Sequence, residues 1–179
     1  MAYTQVLIAG FGGQGILFAG KFLAYKGLLE GKEISWLPSY GPEMRGGTAN
    51  CSVIISDTPV GSPIVSNPDI LMVMNLPSLD KYENAAVAGS KVFVDSTLIE
   101  RKLTRQDVSA YYIPATKLAQ EAGIPTLANM IMIGKMIKET SIVSFDDITD
   151  GLKKVVSAKR AELLDLNLKA LQMGYNYEG

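Results

Sequence analysis

Histidine is absent from this chain of 179 residues, and only one cysteine, Cys51, is present. Without histidine, the sequence disfavours zinc sites and nucleophilic centres of the Ser-His-Asp or Cys-His kind. One cysteine cannot form an internal disulfide bond, and an iron–sulfur cluster needs about four thiolates. Because Cys51 lies within an apolar strand pattern, we interpret it as a buried small side chain and expect a reducing, cytoplasmic setting.

Long apolar runs and an excess of basic residues are also missing. The densest apolar stretch, residues 127–137, is interrupted by Asn129 and Lys135, and no stretch approaches the roughly 18 apolar residues of a membrane span. Lys and Arg number 17 against 18 Asp and Glu, which gives a net charge of −1. The sequence therefore predicts no membrane span, no secretion signal and no nucleic-acid partner.

A cluster of glycines directly follows the apolar run at residues 6–9. Three of them fit the G-x-G-x-x-G pattern, which is typical of a phosphate-binding turn between a strand and a helix. Glycine permits positive φ angles and close approach of the backbone. We predict such a Rossmann-like turn from Gly10, Gly12, Gly13, Gln14 and Gly15. The alternative is that these glycines only allow the strand to pack tightly on the helix.

Single residues argue against two familiar nucleotide sites. A dinucleotide site needs an acidic residue at the end of the second strand, and the predicted strand ends at Leu37 without one. Residues 15–21 also spell a phosphate-loop pattern, but Phe22 stands where a magnesium-binding Ser or Thr is required. An NAD-binding enzyme is therefore the second hypothesis and not the first.

Residues 39–47 form another unusual segment, with one proline and three glycines around large side chains. Tyr, Met and Arg are enriched at buried interfaces, and a planar guanidinium binds phosphate or carboxylate in two places. We predict that this loop faces a ligand or another chain through Tyr40, Glu43, Met44 and Arg45.

Strand patterns alternate with helical patterns along most of the chain, which favours an α/β fold. Strands are predicted at residues 5–9, 33–37, 48–56, 70–74, 91–94 and 110–113. Helices are predicted at residues 14–29, 77–86, 115–122, 126–139, 145–152 and 157–173. Pro38 is expected to end the second strand, and Asn75, Thr126 and Ser144 are expected to begin helices.

No helix separates the second and third predicted strands, so this pair is expected to be antiparallel. The other connections pass through helices and predict parallel neighbours. The expected architecture is a three-layer α/β/α fold with a mixed, mostly parallel sheet. We expect a single domain over residues 1–179, with the C-terminal helices at about residues 144–173.

Together, these segments resemble the gamma subunit of the 2-oxoacid:ferredoxin oxidoreductases. The resemblance rests on GFGGQGI from residue 10, SYGPEMRGGTANCSVIIS from residue 39 and GSPIVSNPDILMVMN from residue 61. It covers the chain from residue 5 to about residue 170. The second segment is most similar to the 2-oxoglutarate or branched-chain type, with 2-oxoglutarate as the first choice.

The resemblance implies a subunit of a complex that oxidatively decarboxylates a 2-oxoacid to an acyl-CoA and passes electrons to ferredoxin. Thiamine diphosphate, Mg, iron–sulfur clusters and CoA would be held on or with partner subunits, and none by this chain alone. The implied partners are alpha and beta subunits, a delta subunit where the complex has one, and ferredoxin through the complex. The isolated chain is expected to be inactive and able to self-associate as a homo-oligomer.

The same resemblance implies two roles for residues of this chain, neither of them catalytic. Gly10, Gly12, Gly13, Gln14 and Gly15 would face a cofactor phosphate or a partner subunit. The subunit contact beside the cofactor would be lined by Tyr40, Glu43, Met44 and Arg45, and Arg45 would also meet a phosphate or carboxylate. Two alternatives stay open: a free-standing Rossmann-like nucleotide-binding oxidoreductase, and a non-enzymatic adaptor with a vestigial glycine turn.

Overall fold

The computed structural model describes residues 2–39 and 48–179. Within these residues, six strands form one sheet in the order β2-β3-β1-β4-β5-β6. Their bounds are β1 Tyr3–Phe11, β2 Glu33–Ser39, β3 Thr48–Ser56, β4 Ile70–Val73, β5 Lys91–Asp95 and β6 Ser109–Ile113. The segment that carries the predicted interface residues Tyr40, Glu43, Met44 and Arg45 lies outside the described residues.

Strand direction in the sheet is mixed. β3 pairs antiparallel with both β1 and β2, and β1, β4, β5 and β6 are joined by parallel pairing. It follows that β3 alone runs against the other five strands. The expected α/β fold with a mixed, mostly parallel sheet is confirmed.

Six helices accompany the sheet in the described part of the chain. Their bounds are α1 Ile16–Leu29, α2 Leu76–Tyr82, α3 Ala115–Glu121, α4 Ala128–Thr140, α5 Ile148–Val155 and α6 Ala161–Tyr175. Short 3₁₀ turns at Glu83–Ala85 and Pro125–Leu127 follow α2 and precede α4. None of these helices is long and apolar enough to cross a membrane.

Two apolar cores lie on opposite faces of the sheet, because successive side chains of a strand point to opposite faces. On β1, Val6 and Ile8 belong to the larger core, which is shared with α1, α3, α4, α5 and α6. Leu7 belongs to the smaller core, where Leu79 of α2 and Ile99 cover the sheet. One face is therefore covered by five helices, and the other by α2 and connecting loops.

Three predictions about single residues at element ends are wrong, each for a physical reason. Pro38 does not end β2, which continues to Ser39, since an edge strand tolerates a residue without an N–H. Thr126 lies inside the 3₁₀ turn and does not cap α4. Ser144 accepts a hydrogen bond from the Asp146 N–H in the loop before α5, which begins four residues later.

Two other local predictions are confirmed. β3 covers the predicted residues. The Asn75 side chain caps α2 by accepting a hydrogen bond from the Ser78 N–H at 2.9 Å. The predicted start of the C-terminal helix at residue 157 is wrong, because the helix begins at Ala161. The single-domain assignment stays a prediction.

Candidate functional site at the glycine turn

The predicted glycine turn connects β1 to α1. Gly13 has a φ of 95° and Gly15 a φ of 73°, both in the left-handed region that favours glycine. Gly15 is the N-cap of α1, and no side chain there hydrogen-bonds to the helix. Gly12 and Gly13 are exposed at the tip of the turn, whereas Gly10 is buried at the end of β1. The first N–H groups of α1, and the positive end of its dipole, therefore lie at this exposed tip of the turn.

Gln14 fixes the turn from the β4 side. Its Oε1 accepts a hydrogen bond from the Phe11 N–H at 2.7 Å, and its Nε2 donates to the Met74 carbonyl at 2.9 Å. Both ends of the amide are thus used inside the protein. Gln14 holds the turn against the end of β4, and a direct contact from its amide to a ligand would require one of these bonds to break.

Asn129 fixes the turn from the opposite side. This residue, in the first turn of α4, is only 2% exposed, and its Nδ2 donates to the Gly15 carbonyl at 2.9 Å. A Cβ on Gly15 would collide with this amide, so glycine is required there by packing as well as by its φ angle. The turn is therefore braced by side chains from two separate elements.

The glycine turn lies at the topological switch point of the sheet. β1 and β4 are parallel neighbours, but α1 packs on the larger-core face and α2 on the other face. Ligands of open α/β sheets bind in the crevice outside the carboxyl ends of such strands. Here the crevice holds a cavity of about 160 Å³, lined by Gly13, Gln14, Met74, Leu98, Thr116, Pro125, Thr126 and Ala128.

Asp95 lies behind one wall of this crevice, where it holds the lining residue Thr116. Its carboxylate is fully buried at the carboxyl end of β5. Oδ2 accepts a hydrogen bond from the Thr116 hydroxyl at 2.6 Å, and Oδ1 accepts one from the Thr97 N–H at 3.1 Å. Asp95 therefore joins the turn after β5 to the start of α3. Its role here is structural, because both of its carboxylate oxygens are bonded to residues of this chain.

A second cavity, of about 340 Å³, lies on the β3 side of the turn. Its described lining includes Phe11, Ile16, Leu17, Phe18 and Ala49 beside three of the glycines. No described residue that lines either cavity carries a charged side chain. Around the turn, the attraction for an anion from the described residues therefore comes from backbone N–H groups alone.

A larger cavity, of about 620 Å³, opens at the opposite ends of the strands, where β1 begins and β3 ends. It contains the ion pair between Lys32 and Asp57, whose nitrogen and oxygen are 2.5 Å apart. No residue of the glycine turn reaches it. By size alone this cavity would be the candidate ligand site. The smaller crevice is the better candidate, because it lies at the carboxyl ends of parallel strands beside the glycine turn.

A dinucleotide site of the Rossmann kind does not match this sheet. In that fold the second strand lies beside the first, and its terminal carboxylate binds the ribose. Here β3 is inserted between β1 and β2, which places β2 two strand spacings, about 10 Å, from β1. β2 also ends without a carboxylate in Leu37, Pro38 and Ser39.

Neither metal coordination nor thiol chemistry is supported by the described residues. Among residues 2–39 and 48–179, no three His, Cys, Asp or Glu side chains come together as they would around a metal ion. Cys51 is fully buried on β3, and burial raises the pKa of its thiol to about 12. A thiol with this pKa stays protonated near neutral pH, so Cys51 is the inert small side chain that the strand pattern predicts.

The structure brings together the five predicted turn residues and adds partners that sequence reasoning did not assign. Of these partners, Asn129 has a signal in the sequence, because it is a polar residue within an apolar helical stretch. Met74 acts through its carbonyl, for which no side-chain pattern gives a signal. Of the turn residues, Gly12 and Gly13 remain open to a ligand or partner, whereas Gln14 faces inward.

The chain is thus an α/β protein with a mixed sheet. Its glycine turn lies at the switch point of that sheet, is held by Gln14 and Asn129, and has no charged side chain among the described residues around it. The sequence model described as pyruvate ferredoxin/flavodoxin oxidoreductase matches residues 5–177. The chain therefore belongs to this family of oxidoreductases.

Named relatives support the assignment over most of the chain. The "2-oxoglutarate synthase subunit KorC" of Methanocaldococcus jannaschii is 37% identical, over 96% of this chain and 91% of the relative. The "Ketoisovalerate oxidoreductase subunit VorA" of Methanothermobacter marburgensis is 39% identical, over 97% of this chain but 36% of the relative. The chain thus spans about a third of the length of that relative.

A solved structure shows the same fold. The keto/oxoacid ferredoxin oxidoreductase gamma subunit from Geobacter sulfurreducens superposes with a TM-score of 0.82 and 30% sequence identity. The superposition covers 96% of each chain. The resemblance expected from the sequence motifs is therefore confirmed at the level of family and fold.

Proposed function

We propose that this chain is the gamma subunit of a CoA-dependent 2-oxoacid:ferredoxin oxidoreductase. The observation that supports this most is the match to a KorC relative along nearly the whole of both chains. In the proposed reaction a 2-oxoacid loses CO2, its acyl group passes to CoA, and the electrons pass to ferredoxin. We place 2-oxoglutarate first and a branched-chain 2-oxoacid second, in line with the names of the relatives.

The residues of this chain do not fit the redox cofactors of such a reaction. A single thiol cannot hold an iron–sulfur cluster, which needs about four cysteine ligands. The carbon chemistry and electron transfer belong to thiamine diphosphate and the clusters, which we assign to alpha and beta subunits. A cytoplasmic setting is part of the proposal, because the one cysteine is free and buried.

The chain contributes shape and a preformed surface to the complex. Gln14 and Asn129 hold the glycine turn in one conformation, and Gly12 and Gly13 present their backbone at its tip. By their resemblance to the family, Tyr40, Glu43, Met44 and Arg45 would line the contact beside the cofactor. Arg45 is then the side chain suited to a phosphate or carboxylate, through its planar fork.

Reconstitution tests this function directly. The chain is coexpressed with the thiamine-diphosphate and cluster subunits of the same genome, and ferredoxin reduction is followed with a panel of 2-oxoacids. We expect a stable complex whose activity requires both CoA and this chain, with the highest kcat/KM for 2-oxoglutarate. Failure of the chain to coelute with those subunits would contradict the assignment, and a preference for a branched-chain acid would change only the substrate.

A further inference from the structure

β2 is the terminal strand of the sheet, and within the described residues it pairs on one side only, with β3. The hydrogen bonds across the sheet show which of its backbone groups face away from β3. The Asp57 N–H donates to the Ala2 carbonyl at 2.9 Å, so these two opposed residues form a hydrogen-bonded pair. Such pairs alternate along an antiparallel ladder. The odd-numbered residues of β3 therefore bond to β1, and its even-numbered residues bond to β2.

The outward-facing groups of β2 follow from this alternation. Its odd-numbered residues lie opposite even-numbered residues of β3, as Ser35 does opposite Ile54, and bond to them. Ile34, Trp36 and Pro38 therefore direct their backbone groups away from the sheet. Pro38 breaks no bond of the ladder there, because its missing N–H would face outward. The free edge of β2 thus offers two N–H groups, those of Ile34 and Trp36, and three carbonyls.

An apolar groove runs beside this free edge on the face covered by α1. A cavity of about 280 Å³ opens between α1 and β2, and it is lined by Lys21, Ala24, Tyr25, Leu28, Ile34 and Trp36. The Leu28 side chain in this lining is 56% exposed. An edge strand with unpaired backbone groups is a template for a further strand, and exposed apolar side chains beside it gain from being covered.

The free groups of this edge are complementary to those of a second β2 strand. In an antiparallel pair with Ser35 opposite Ser35 of the second copy, Ile34 of each copy lies opposite Trp36 of the other. Four hydrogen bonds then use the N–H and the carbonyl of both residues in both copies. Beyond them, Pro38 lies opposite Lys32 of the second copy, whose N–H is already bonded to the end of α1. The two positions without a free N–H therefore meet each other.

Neighbouring registers fit this edge less well. If one strand moves by two residues, either the Ile34 carbonyl lies opposite Pro38 or the Trp36 carbonyl lies opposite Lys32. Neither of those residues has a free N–H to donate. The register with Ser35 at the centre is therefore the one that leaves no group of Ile34 or Trp36 without a partner.

The direction of α1 agrees with the same centre. A Cβ on Gly20 would lie 3.2 Å from Trp36 Nε1, and a Cβ on Gly27 would touch the Ile34 side chain, so α1 runs antiparallel to β2. Ala24, about midway between the two glycines, therefore lies near the level of the proposed two-fold axis. A small side chain at this point of the groove allows two copies of α1 to approach each other.

We propose that two copies of this chain associate through β2, in this antiparallel register, to form one continuous sheet with six described strands from each copy. The contact is isologous, because the same strand and the same groove are used on both sides. It brings the two apolar grooves together and covers Leu28. The inference does not depend on the proposed function, since it concerns two copies of this chain alone.

A cross-link at the axis tests the register. Opposed residues of a non-hydrogen-bonded pair have Cα atoms about 4.5 Å apart, which is within the range of a disulfide bond. Ser35→Cys should therefore give a covalent dimer under oxidising conditions, detected on a nonreducing gel. The matched control is Ser109→Cys, an exposed position on β6 at the other end of the sheet, which should stay monomeric on the gel. The native Cys51 is buried and takes no part.

Sedimentation equilibrium of the purified full chain measures the dimer directly. Ser35→Lys places like charges opposite each other at the axis and should raise the dissociation constant of the dimer at least about tenfold. Ser109→Lys should leave it unchanged. Amide hydrogen exchange needs no variant: the N–H groups of Ile34 and Trp36 should exchange more slowly as the chain concentration rises through the dissociation constant.

Four results would overturn this interface. They are an unsubstituted chain that is monomeric at every concentration, a dimer cross-linked by Ser109→Cys but not by Ser35→Cys, an unchanged dissociation constant in Ser35→Lys, and unchanged exchange at Ile34 and Trp36 on dimerisation. If the chain is monomeric and Ser35→Lys no longer coelutes with the thiamine-diphosphate and cluster subunits, β2 pairs with a strand of another subunit instead. Coelution of the unsubstituted chain with those subunits tests the proposed function separately.

Discussion

Glu83 is a buried carboxylate that accepts three hydrogen bonds from two residues. It lies in the 3₁₀ turn after α2, where Oε2 accepts a hydrogen bond from Arg101 at 2.8 Å and Oε1 accepts one from the Thr104 hydroxyl at 3.0 Å. The Thr104 N–H also donates to Oε1. Burial by itself raises the pKa of Glu83, but the hydrogen bonds from Arg101 and Thr104 outweigh it and leave the pKa below its usual value.

This lowered pKa predicts how stability depends on pH. The carboxylate stabilises the fold at every pH above the unfolded glutamate pKa, about 4.3, and this contribution is lost as pH falls through the lower folded value. At pH 7 we expect Glu83→Gln to reduce the free energy of unfolding by about 1–3 kcal/mol, and the difference from the unsubstituted chain to shrink below about pH 4.5. Urea unfolding from pH 3 to pH 8 measures both.

The exposed Glu100 offers the control for this measurement. Glu100→Gln should change the free energy of unfolding at pH 7 by less than about 0.5 kcal/mol. A Glu83→Gln deficit that stayed constant down to pH 3 would show that packing, and not the charge of the carboxylate, accounts for the loss.

At the scale of single residues, the sequence predicts the glycine turn but not its braces. Positive φ angles at Gly13 and Gly15 are expected from the motif, because glycine lacks a Cβ and adopts such angles whatever its distant neighbours are. The inward orientation of Gln14 depends on the Met74 carbonyl, 60 residues away, and Asn129 reaches Gly15 from 114 residues away. Such contacts require the strand order, which no local pattern contains.

Between elements, the closest packing in the larger core is that of α4 against α6. A Cβ on Gly174 of α6 would collide with the Ile131 carbonyl of α4, and a Cβ on Gly134 would collide with the Leu171 carbonyl. Backbone atoms cannot move aside as a flexible side chain can. The two helices therefore touch through their backbones, and glycine at both positions sets their separation.

Replacement of Gly174 tests this contact. Gly174→Ala should lower the free energy of unfolding by about 2–3 kcal/mol, at the upper end of the effect of overpacking, in urea titrations. Gly151→Ala in α5 is the matched control, because its Cβ would lie 3.1 Å from Phe22 Cε2 and 3.2 Å from Lys26 Cβ and would touch only side chains. The gain in helix propensity offsets that contact, so the control should stay within about 1 kcal/mol. Equal stability of both variants would argue that α4 and α6 can separate without loss.

Element boundaries show where local signals are sufficient. β3 was predicted in full because its apolar residues alternate, and the Asn75 cap because Pro77 follows it at the start of a helix. The starts of α4 and α5 were misplaced, since Thr126 and Ser144 are cap-forming residues that tertiary structure places in a 3₁₀ turn and a loop. Cap propensity alone does not choose between a helix start and a turn.

At the scale of the whole molecule, one antiparallel strand separates this fold from a dinucleotide-binding sheet. The glycine motif is shared, and the turn has the left-handed glycines that the motif predicts. Insertion of β3 between β1 and β2 moves the end of β2 away from the glycine turn, and that end carries no carboxylate for a ribose. The sequence predicts the antiparallel pairing of β2 and β3, but the position of β3 in the sheet becomes visible only in the structure.

This topology predicts that the isolated chain does not bind NAD, NADP or FAD. A ligand over the turn would meet backbone N–H groups at one end. About 10 Å away across β3, it would meet the end of β2, where the described residues Leu37, Pro38 and Ser39 offer neither a carboxylate for a ribose nor an arginine for a 2′-phosphate. Calorimetric titration of the pure chain should show no saturable heat for any of the three up to millimolar concentration. The matched sample is the reconstituted complex, which should bind CoA under the same conditions. Micromolar affinity of the isolated chain for a dinucleotide would contradict this prediction. It would favour a free-standing nucleotide-binding oxidoreductase over a subunit that only shapes an interface.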